Sequence, residues 1–438
     1  MRKEWLKKYS LFLLVFALAI VLNACSSTNN SSNDNSVDKG DNDEKTVIRF
    51  AWWGNDERHN LTQEVIELFE EKNPDISVKT EFTSWDSYWD RLTTQAAGDN
   101  LPDLVQMSNH RLNEYISRDL VLNLNDFIDN DIINLDDVSS VHQDMNIIDN
   151  NTYAVSGGSN ALAIVYNMDL FEEYDIDLDP EYTYEDLIDL QTTIPDEDLY
   201  IISYETQDEH EIFQHFARQY GERLYDEDGQ LGVSTETLVD FMTNLRGLID
   251  NGIAPPFDIS LEARNIEASL VASEEVLMGS YGSNQLLFAQ ELATANLGLM
   301  PLPIAEGAVE PGDWIRPAMS FSIASTSGTA EQEAAAKLLD FITNDLEANK
   351  IMRAERGVPI SSKVREGLYS DLDETSQKQF EFLELLEDRS GGREPLPPPG
   401  QQEVQAAFER MIEEVFLGDT TIEDGAESFF NEAEQILN

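Results

Sequence analysis

Apolar and polar positions recur with two different periods at the start of the globular part of the chain, and they predict its first elements. Residues 46–53 (TVIRFAWW) have the β-branched and aromatic content of a buried strand, and residues 61–71 carry apolar positions on one helical face. Residues 76–82 then alternate as a strand, 85–97 fit a helix and 104–107 a short strand. This β-α-β-α-β order predicts a parallel sheet with helices on its faces, which binds ligands at the carboxyl ends of its strands.

The pattern changes after residue 153, where a second group of elements begins. Residues 161–166 (ALAIVY) predict a new apolar strand, and shorter strands, two amphipathic helices and a Pro-rich extended connector follow. These segments are strands 276–278, 297–300 and 320–324, helices 331–343 and 403–416, and the connector 393–400. The globular part, of roughly 390 residues, is too long for one core and suggests two domains.

An apolar run near the N-terminus, residues 11–22, follows four basic residues and ends close to Cys25, the one cysteine of the chain. The run is too short to span a bilayer comfortably and fits the core of a signal peptide. A small residue before a cysteine resembles the lipobox of bacterial lipoproteins. The resemblance implies a signal peptide over residues 1–24 and a lipid on Cys25, with an uncleaved anchor or a buried cysteine as the alternatives. Residues 25–44, rich in Ser, Asn and Asp, are then expected to be a lipid-anchored flexible tether.

The charge of the chain limits the classes of molecule that it can bind. It has 28 Lys and Arg against 85 Asp and Glu, a net charge of −57, and removing residues 1–24 takes away four basic and one acidic residue to give −60. Such a surface repels nucleic acid and anionic lipid head groups. Because molar salt shortens the Debye length to about 3 Å and screens the repulsion among the carboxylates, the composition favours a halophilic or haloalkaliphilic source.

Several segments, taken in order, resemble one known family. They are TVIRFAWWGNDERHNLTQEVIELFEEKNPDISVKTEF, AAGDNLPDLVQM, LAIVYNMDLF, TYEDL, EEVLMGSYGSN and SFSIASTSGTAEQEAAAKLLDFI. Together they resemble the family 1 extracellular solute-binding proteins of ABC sugar importers, the broad group that includes maltose-binding protein. No single segment is diagnostic, but their joint order over about residues 46 to 365 is specific.

The resemblance implies a fold and a domain organisation. The fold class is α/β, a two-lobed periplasmic-binding-protein fold (type II, Venus flytrap), each lobe a mostly parallel sheet flanked by helices and joined by hinge strands. Lobe 1 would comprise residues 45–155 and 318–364, and lobe 2 residues 156–317 and 365–438. Hinge crossings are expected near residues 154–158, 316–319 and 358–365, with the ligand between the lobes.

The predicted strand end at Trp52 and Trp53 offers aromatic rings suited to the C–H faces of sugars. Side chains alternate along a strand, so we expect one of these tryptophans to face the ligand and the other to pack in the core. Arg58 and His59 follow as candidate ligand contacts, with solvated residues at a helix start as the alternative. Arg58 in the site would favour an acidic sugar, since guanidinium pairs bidentately with carboxylate. The pattern WWG followed by Arg and His also resembles importers of pectin-derived oligogalacturonides.

The remaining candidates lie on later elements. Trp85 and Trp89 are four residues apart on a helix face that is expected to pack on the sheet, and Trp85, at the helix start, is the candidate sugar contact. Trp314 and Arg316 are also candidate ligand contacts, with hinge packing as the alternative role. The other positions that the resemblance implies as ligand contacts are Gln106, Ser108, Asn109, Asn160, Tyr281, Ser283 and Asn284.

Common catalytic motifs do not occur in this sequence. There is no GxSxG, Walker motif, HExxH or GxGxxG after a strand, and 85 acidic residues make chance carboxylate pairs inevitable. Asp226-Glu227-Asp228-Gly229 admits a calcium loop, but it lacks the glycine and the glutamate of a helix-loop-helix site, so an Asp-Gly turn is expected. We therefore expect no enzyme activity, no cofactor and no metal.

These features together predict a monomeric lipoprotein on the extracytoplasmic face of the cell membrane. It would capture an extracellular oligosaccharide by hinge closure and deliver it to ABC transporter permease subunits. A uronic-acid oligosaccharide is the alternative ligand. A secreted glycoside hydrolase or lyase, and a metal- or peptide-binding lipoprotein, are the rival functions; the aromatic residues at the predicted strand ends argue against a metal or peptide ligand.

Overall fold

The structure of the protein, a computed structural model, describes residues 45–194, 199–204, 209–263 and 266–438. The predicted signal peptide, Cys25 and the predicted tether lie outside the described residues. Within the described ranges, no helix is both long and apolar enough to cross a membrane.

The strands form one large sheet and a small hairpin. In the large sheet the order is β2-β1-β3-β10-β6-β8-β7, with β9 also paired to β6, and β4 pairs with β5 in the hairpin. The strands of the described residues are β1 (Thr46–Trp53), β2 (Ile76–Thr83), β3 (Leu104–Met107), β4 (Ile147–Ile148), β5 (Asn151–Thr152), β6 (Val155–Asn167), β7 (Tyr200–Ser203), β8 (Val276–Gly282), β9 (Leu297–Met300) and β10 (Ile315–Ile323).

Strand direction divides the large sheet into three parts. β1 is parallel to β2 and β3 at one side, and β7 is parallel to β8 at the other. Between these parallel parts run the two long strands β6 and β10, antiparallel to each other and to their other neighbours. Helices cover both parallel parts. The predicted α/β fold class is confirmed.

The helices of the described residues are mostly amphipathic and pack on the sheet. They are α1 (Asp56–Lys72), α2 (Trp85–Ala97), α3 (Asn109–Ser117), α4 (Asn125–Asp129), α5 (Ser140–Asp144), α6 (Met168–Glu173), α7 (Tyr184–Thr193), α8 (Glu209–Gln219), α9 (Thr235–Asp250), α10 (Phe257–Glu262), α11 (Leu286–Leu292), α12 (Thr329–Asn344), α13 (Leu346–Met352), α14 (Ser362–Tyr369), α15 (Glu374–Arg389), α16 (Gln401–Phe416) and α17 (Ile422–Leu437).

Local chemistry explains where the helix after β1 begins. Asn55 has an extended backbone and its side-chain oxygen accepts a hydrogen bond from the backbone N–H of Arg58, which is the geometry of an N-cap. Asp56 and Glu57 fill the first turn, where the helix dipole favours negative charge. Val65 and Phe69 are buried on the sheet side. The loop after β1 therefore turns at once into α1 and holds its first residues at the carboxyl end of the sheet.

The element predictions for residues 46–107 are confirmed, with α1 beginning five residues earlier than its apolar pattern. β6 is longer than predicted, because it begins at Val155 and includes Gly157-Gly158-Ser159. Glycine and serine have low strand propensity, so this part carries no local strand signal. Its pairing with β10 supplies the hydrogen bonds that hold it extended.

Buried apolar side chains form separate clusters around the β1–β3 part of the sheet and around its β7–β8 part. One large cluster draws on β1, α1 and α12, and a neighbouring one on α2 and β3. The largest cluster draws on α8, α9, α16 and α17, and a smaller one packs β8 and α11. A further cluster joins β6, β10, α14 and α15 where the chain passes between these two parts of the sheet.

The three expected hinge crossings, near residues 154–158, 316–319 and 358–365, lie next to one another. β6 pairs with β10 through a register shift between Pro317 and Ser320. Val358 exchanges two backbone hydrogen bonds with Ser159, of 2.8 and 3.0 Å. A Cβ on Gly158 would collide with the carbonyl oxygen of Arg356, so glycine is required for this close approach.

Candidate functional site

A cleft with two connected cavities lies beside these crossing segments. The Trp cavity, of about 660 Å³, is lined by Trp53, Arg58 and Trp85 and by the turn 353–357. The Pro cavity, of about 360 Å³, is lined by Trp314, Arg316 and the Pro-rich segment 395–397. Both cavities share the lining residues Ser108, His110, Asn160 and Ala318. The ends of β1, β3 and β8 and the junction of β6 with β10 thus open onto one cleft.

Most of the predicted ligand residues line this cleft. Those on the Trp cavity, the Pro cavity or both are Trp53, Arg58, Trp85, Ser108, Asn109, Asn160, Asn284, Trp314 and Arg316. They come from positions more than two hundred residues apart in the sequence, and strand order brings them together.

Trp53 and Trp85 form an aromatic corner of the Trp cavity. Their ring centroids are 4.9 Å apart and the rings are nearly perpendicular, at 87°. Trp53 is 9% exposed and rests on Tyr88 and Trp89, whereas Trp85 is 44% exposed. The buried rings fix the position of the corner, and Trp85 offers its free surface to the cavity.

Trp52 and His59 line neither cavity and have a structural role instead. Trp52 is fully buried, stacks on Phe82 and donates a hydrogen bond from Nε1 to Nδ1 of His59, at 3.1 Å. Burial lowers the pKa of His59, which keeps the ring neutral and able to accept this hydrogen bond. The alternation of β1 therefore sends Trp52 into the core and Trp53 towards the cleft.

Gln106, Tyr281 and Ser283 also line neither cavity. Gln106 is fully buried, and its Oε1 accepts a hydrogen bond from Nε of Arg356 at 3.3 Å. The Tyr281 hydroxyl is 2.6 Å from Oγ of Ser269, inside the cluster under β8. Ser283 Oγ accepts the backbone N–H of Ala161. All three were predicted as ligand contacts, and the structure gives them packing and bracing roles, because each is buried beneath the cleft surface.

A chain of polar side chains connects the two cavities. Arg316 pairs with Glu211 and donates from Nε to Oδ1 of Asn160 at 3.0 Å. Asn160 Nδ2 in turn donates to Oδ1 of Asn284 at 3.3 Å. The chain runs from α8 through β10 and β6 to the loop after β8, and it orients amide and guanidinium groups along the cleft.

Arginine and carboxylate groups are balanced along the cleft, unlike in the whole chain. The lining arginines are Arg58, Arg316, Arg353, Arg356 and Arg393, and the lining acids are Glu57, Asp144, Glu211, Glu355 and Glu394. Five cations thus face five anions, in a protein with 28 Lys and Arg against 85 Asp and Glu. The lining of the cleft is therefore nearly neutral, whereas the protein as a whole is strongly acidic.

Arg356 is a buried cation at the floor of the Trp cavity. It is 4% exposed, donates from Nη2 to Oγ1 of Thr62 at 2.8 Å, and lies over the ring of Phe321 at 5.7 Å. Burial lowers its pKa to about 9, so the guanidinium is still charged at neutral pH. It supplies positive potential close to the ligand space without being free to move.

Some polar atoms of cleft-lining residues are buried and make no hydrogen bond within the described part of the chain. They include Oδ1 of Asn109, Oε2 of Glu211 and Nε2 of Gln379. A buried polar atom without a partner costs about 1–3 kcal/mol, so a ligand that supplies the partner gains that energy.

Trp314 and the Pro-rich segment form the far wall of the Pro cavity. Trp314 is 6% exposed, with the guanidinium of Arg218 over its ring at 5.2 Å. Arg218 also pairs with Glu394 and donates to the carbonyl oxygen of Gly391 at 2.7 Å. These contacts fix the connector against α8, and Trp314 contributes mainly to that packing.

Sequence reasoning missed several lining residues. His110 follows the predicted Asn109, Leu287 lies three residues after the predicted Asn284, and the sequence predicts the Pro-rich segment only as a connector. Gln379 lies in the middle of an ordinary acidic amphipathic helix, α15, where no local signal marks it. The turn 353–357 has one signal in its sequence, the glycine Gly357, whose φ is +97°.

The acidic loop at residues 226–229 forms a turn, as expected. Oδ1 of Asp226 accepts the backbone N–H groups of Asp228 and Gln230, both at 2.9 Å, and Gly229 has a φ of +76°. Among the described residues, no group of three or more His, Cys, Asp or Glu side chains is arranged to hold a metal ion.

The sequence and the fold of this chain are similar to those of known proteins. Residues 55–347 match the family described as bacterial extracellular solute-binding protein. A protein of Brucella abortus is 21% identical over 373 residues, which cover 83% of this chain and 87% of that protein.

Two solved structures share the fold over nearly their whole length. An extracellular solute-binding protein family 1 member from Alicyclobacillus acidocaldarius is 25% identical with a TM-score of 0.79, covering 90% of this chain and 98% of that chain. A periplasmic oligogalacturonide-binding protein from Yersinia enterocolitica is 24% identical with a TM-score of 0.76, covering 90% and 99%. Since the family match extends over more than half of the sequence, the chain belongs to the bacterial extracellular solute-binding protein family.

Proposed function

We propose that this protein captures an extracellular oligosaccharide in the cleft and delivers it to the permease of an ABC transporter. Lobe 1 would comprise residues 45–155 and 318–364, and lobe 2 residues 156–317 and 365–438. The separate apolar clusters around the β1–β3 part and the β7–β8 part of the sheet support this division. The register shift in β10 and the close approach of Gly158 to Arg356 support a hinge between the lobes.

The aromatic corner is the observation that carries the proposal. Trp85 is 44% exposed and is held against Trp53 inside a cavity of about 660 Å³. A pyranose ring presents a C–H face that stacks on such a ring, and its hydroxyls need fixed donors and acceptors around it. The polar chain through Arg316 and Asn160, together with the unpaired oxygens of Asn109 and Glu211, supplies them.

Closure follows from the distribution of these groups between the lobes. Trp53, Arg58 and Trp85 belong to the proposed lobe 1, whereas Asn284 and Glu211 belong to the proposed lobe 2. A ligand that touches both sets gains contacts in the closed state that the open state lacks, so it shifts the population towards closure. The closed form would then present both lobes to the permease.

The family and the sequence of the N-terminus support a place of action outside the cytoplasm. An extracellular solute-binding protein acts outside the cytoplasm, and we propose that lipid on Cys25 and the tether 25–44 hold it at the membrane. Two or more acyl chains anchor a protein stably, whereas one chain does not. The acidic surface would suit this protein to a halophilic setting.

A panel of oligosaccharides tests the proposal directly. Neutral and uronic oligosaccharides of two to four residues are added at molar salt, and melting temperature and calorimetric binding are measured. We expect saturable one-to-one binding with no product released, which also separates binding from hydrolysis or lyase action. A rise in melting temperature with a peptide or a cation, and with none of the sugars, contradicts the proposal.

A further inference from the structure

We propose that Gln379 and Arg353 form a subsite in the Trp cavity that binds a carboxylate of the ligand. The inference rests on the proposed function and makes it more specific: the preferred oligosaccharide is acidic, with a uronic acid residue placed at this end of the cleft. Neither residue is among the ligand contacts that the sequence predicts.

Gln379 contributes an unused donor. It lines the Trp cavity, is 6% exposed, and its Nε2 makes no hydrogen bond to any described residue. A buried amide N–H without an acceptor destabilises a protein and is rare in native structures. A ligand oxygen that accepts from Nε2 accounts for a glutamine at a position where an apolar side chain would otherwise pack better.

Arg353 contributes an unneutralised charge. It lines the same cavity, is exposed, and forms no ion pair with any described residue. Arg58 and Arg316, in contrast, are paired with Glu355 and Glu211. Arg353 ends α13 with a φ of +51°, a left-handed conformation that is uncommon for residues other than glycine and asparagine. The chain accepts this backbone cost at the residue whose guanidinium remains available at the cleft.

The two donors stand on elements that pack together. Ala354, next to Arg353, and Phe380, next to Gln379, belong to one apolar cluster at the crossing segments. α15, which carries Gln379, also packs against α11, whose Leu287 lines the same cavity. An amide N–H and a guanidinium therefore lie on adjoining parts of one wall.

A carboxylate fits this wall better than a hydroxyl. The Trp cavity is lined by three arginines and two glutamates, an excess of positive charge in a chain of net charge −57. A hydroxyl satisfies one donor and gains little from the charge, whereas a carboxylate accepts from both groups through its two oxygens and is attracted by the cations. The uronic acid carboxylate has the geometry and the charge that this pair can bind.

The subsite also bridges the proposed lobes. Arg353 lies in the segment assigned to lobe 1 and Gln379 in the segment assigned to lobe 2. A carboxylate held by both would bind the closed state more tightly than the open one, which links recognition of the acidic group to closure.

The test uses two ligands that differ in the carboxylates alone: digalacturonic acid and digalactose, its carboxyl-reduced counterpart. Wild-type protein is expected to bind the acid at least about tenfold more tightly in calorimetry. Gln379→Met removes the donor at similar volume. It should weaken binding of the acid about tenfold, weaken binding of digalactose much less, and keep or raise the melting temperature of the free protein, because it removes an unpaired buried N–H.

Two further variants keep the test decisive. Gln379→Glu should weaken binding of the acid more than Gln379→Met does, through repulsion. Arg353→Asn, which suits the left-handed backbone, should weaken it about threefold to tenfold at low salt and less at high salt, whereas Arg410→Gln on α16 should change nothing.

Distinct results overturn the inference and the proposed function. Equal binding of the two disaccharides by wild type, or an unchanged preference in Gln379→Met and Arg353→Asn, overturns the carboxylate subsite and leaves oligosaccharide binding intact. Failure of wild type to bind any member of the oligosaccharide panel overturns both.

Discussion

Arg58 and Glu355 form a two-oxygen ion pair on the wall of the Trp cavity although they are 297 positions apart in the sequence. Nε of Arg58 is 2.7 and 2.9 Å from the two carboxylate oxygens, and Nη1 donates to the carbonyl oxygen of Trp53. The guanidinium is thus oriented by the end of β1 and neutralised by the turn 353–357. A ligand carboxylate at Arg58 has to compete with Glu355, which is why this arginine alone does not make the cleft selective for acids.

Glu355→Gln should therefore change selectivity. Without the competing carboxylate, Arg58 becomes available, and affinity for an acidic disaccharide should rise while affinity for its neutral counterpart stays constant. The free protein should lose about 1–3 kcal/mol of unfolding free energy, since Arg58 is only 14% exposed and loses its partner. Calorimetry with both ligands and denaturant unfolding check the two effects. A fall in affinity for the acid would show that Glu355 supports binding by orienting Arg58.

Trp85→Ala tests the aromatic corner. The side chain is 44% exposed, so its removal should cost little stability, but a sugar that stacks on it should lose about 2 kcal/mol of binding free energy, roughly 30-fold in Kd. Trp52→Phe is the matched control. This residue is fully buried and its Nε1 bonds to His59, so the variant should lower stability and leave affinity unchanged. If both variants bind the sugar as wild type does, the corner is not the stacking surface.

The contrast between Trp52 and Trp53 shows how far sequence reasoning reaches. Strand β1 and the inward and outward alternation of its tryptophans follow from local pattern, because an apolar strand exposes alternate side chains to opposite faces. The loop positions after β1 and β3 follow from the rule that ligands meet parallel strands at their carboxyl ends.

The remaining residues of the cleft depend on contacts that no local pattern encodes. Gln379 occupies a position in α15 that any polar residue would fit by periodicity, and its burial arises from packing against other elements. The Arg58–Glu355 pair likewise joins the start of α1 to the turn after α13. Gly157 and Gly158, near the start of β6, argue against a strand by propensity, and pairing with β10 overrides them.

Gly158→Ala should disturb the crossing segments. The added Cβ would collide with the carbonyl oxygen of Arg356, a backbone atom that cannot rotate away, so we expect a loss of about 1–3 kcal/mol or a changed open-to-closed equilibrium. Gly247→Ala is the control, since a Cβ there meets nothing within 4 Å and alanine favours the helix, adding about 0.5–1 kcal/mol. Denaturant unfolding and small-angle scattering with and without ligand measure both. Equal stability of the two variants would show that the crossing tolerates displacement.

His142 should make the protein sensitive to acid. It is buried between Oγ of Ser139 at 2.8 Å and Oγ of Ser159 at 3.0 Å, and burial, with a smaller effect of Arg365, lowers its pKa to about 3. The unfolded chain takes up a proton near pH 6.5 and the folded chain does not, so the stability it contributes is present above pH 6.5. Between pH 6.5 and 3 that stability falls by about 1.4 kcal/mol per pH unit.

His142→Gln, which can keep the hydrogen bond to Ser159, should remove this slope. Unfolding of both proteins is followed from pH 7 to pH 4, and the difference between them isolates one histidine from the many carboxylates that also titrate. Parallel curves would mean that His142 takes up its proton at the same pH in the folded and unfolded chain.

Salt should stabilise the free protein. Because 85 acidic residues stand against 28 basic ones, most carboxylates have no cation to pair with, and the compact folded chain repels itself more strongly than the expanded unfolded chain does. Raising KCl from 0.05 to 2 M shortens the Debye length from more than 10 Å to below about 3 Å and removes this repulsion. We expect the unfolding free energy to rise steadily over that range. Sucrose, an uncharged osmolyte that favours compact states, is the control, because an equal rise in sucrose would assign the effect to exclusion from the surface and not to screening. Loss of stability in KCl would instead mean that the surface ion pairs outweigh the repulsion, and the inferred adaptation to a saline environment would be wrong.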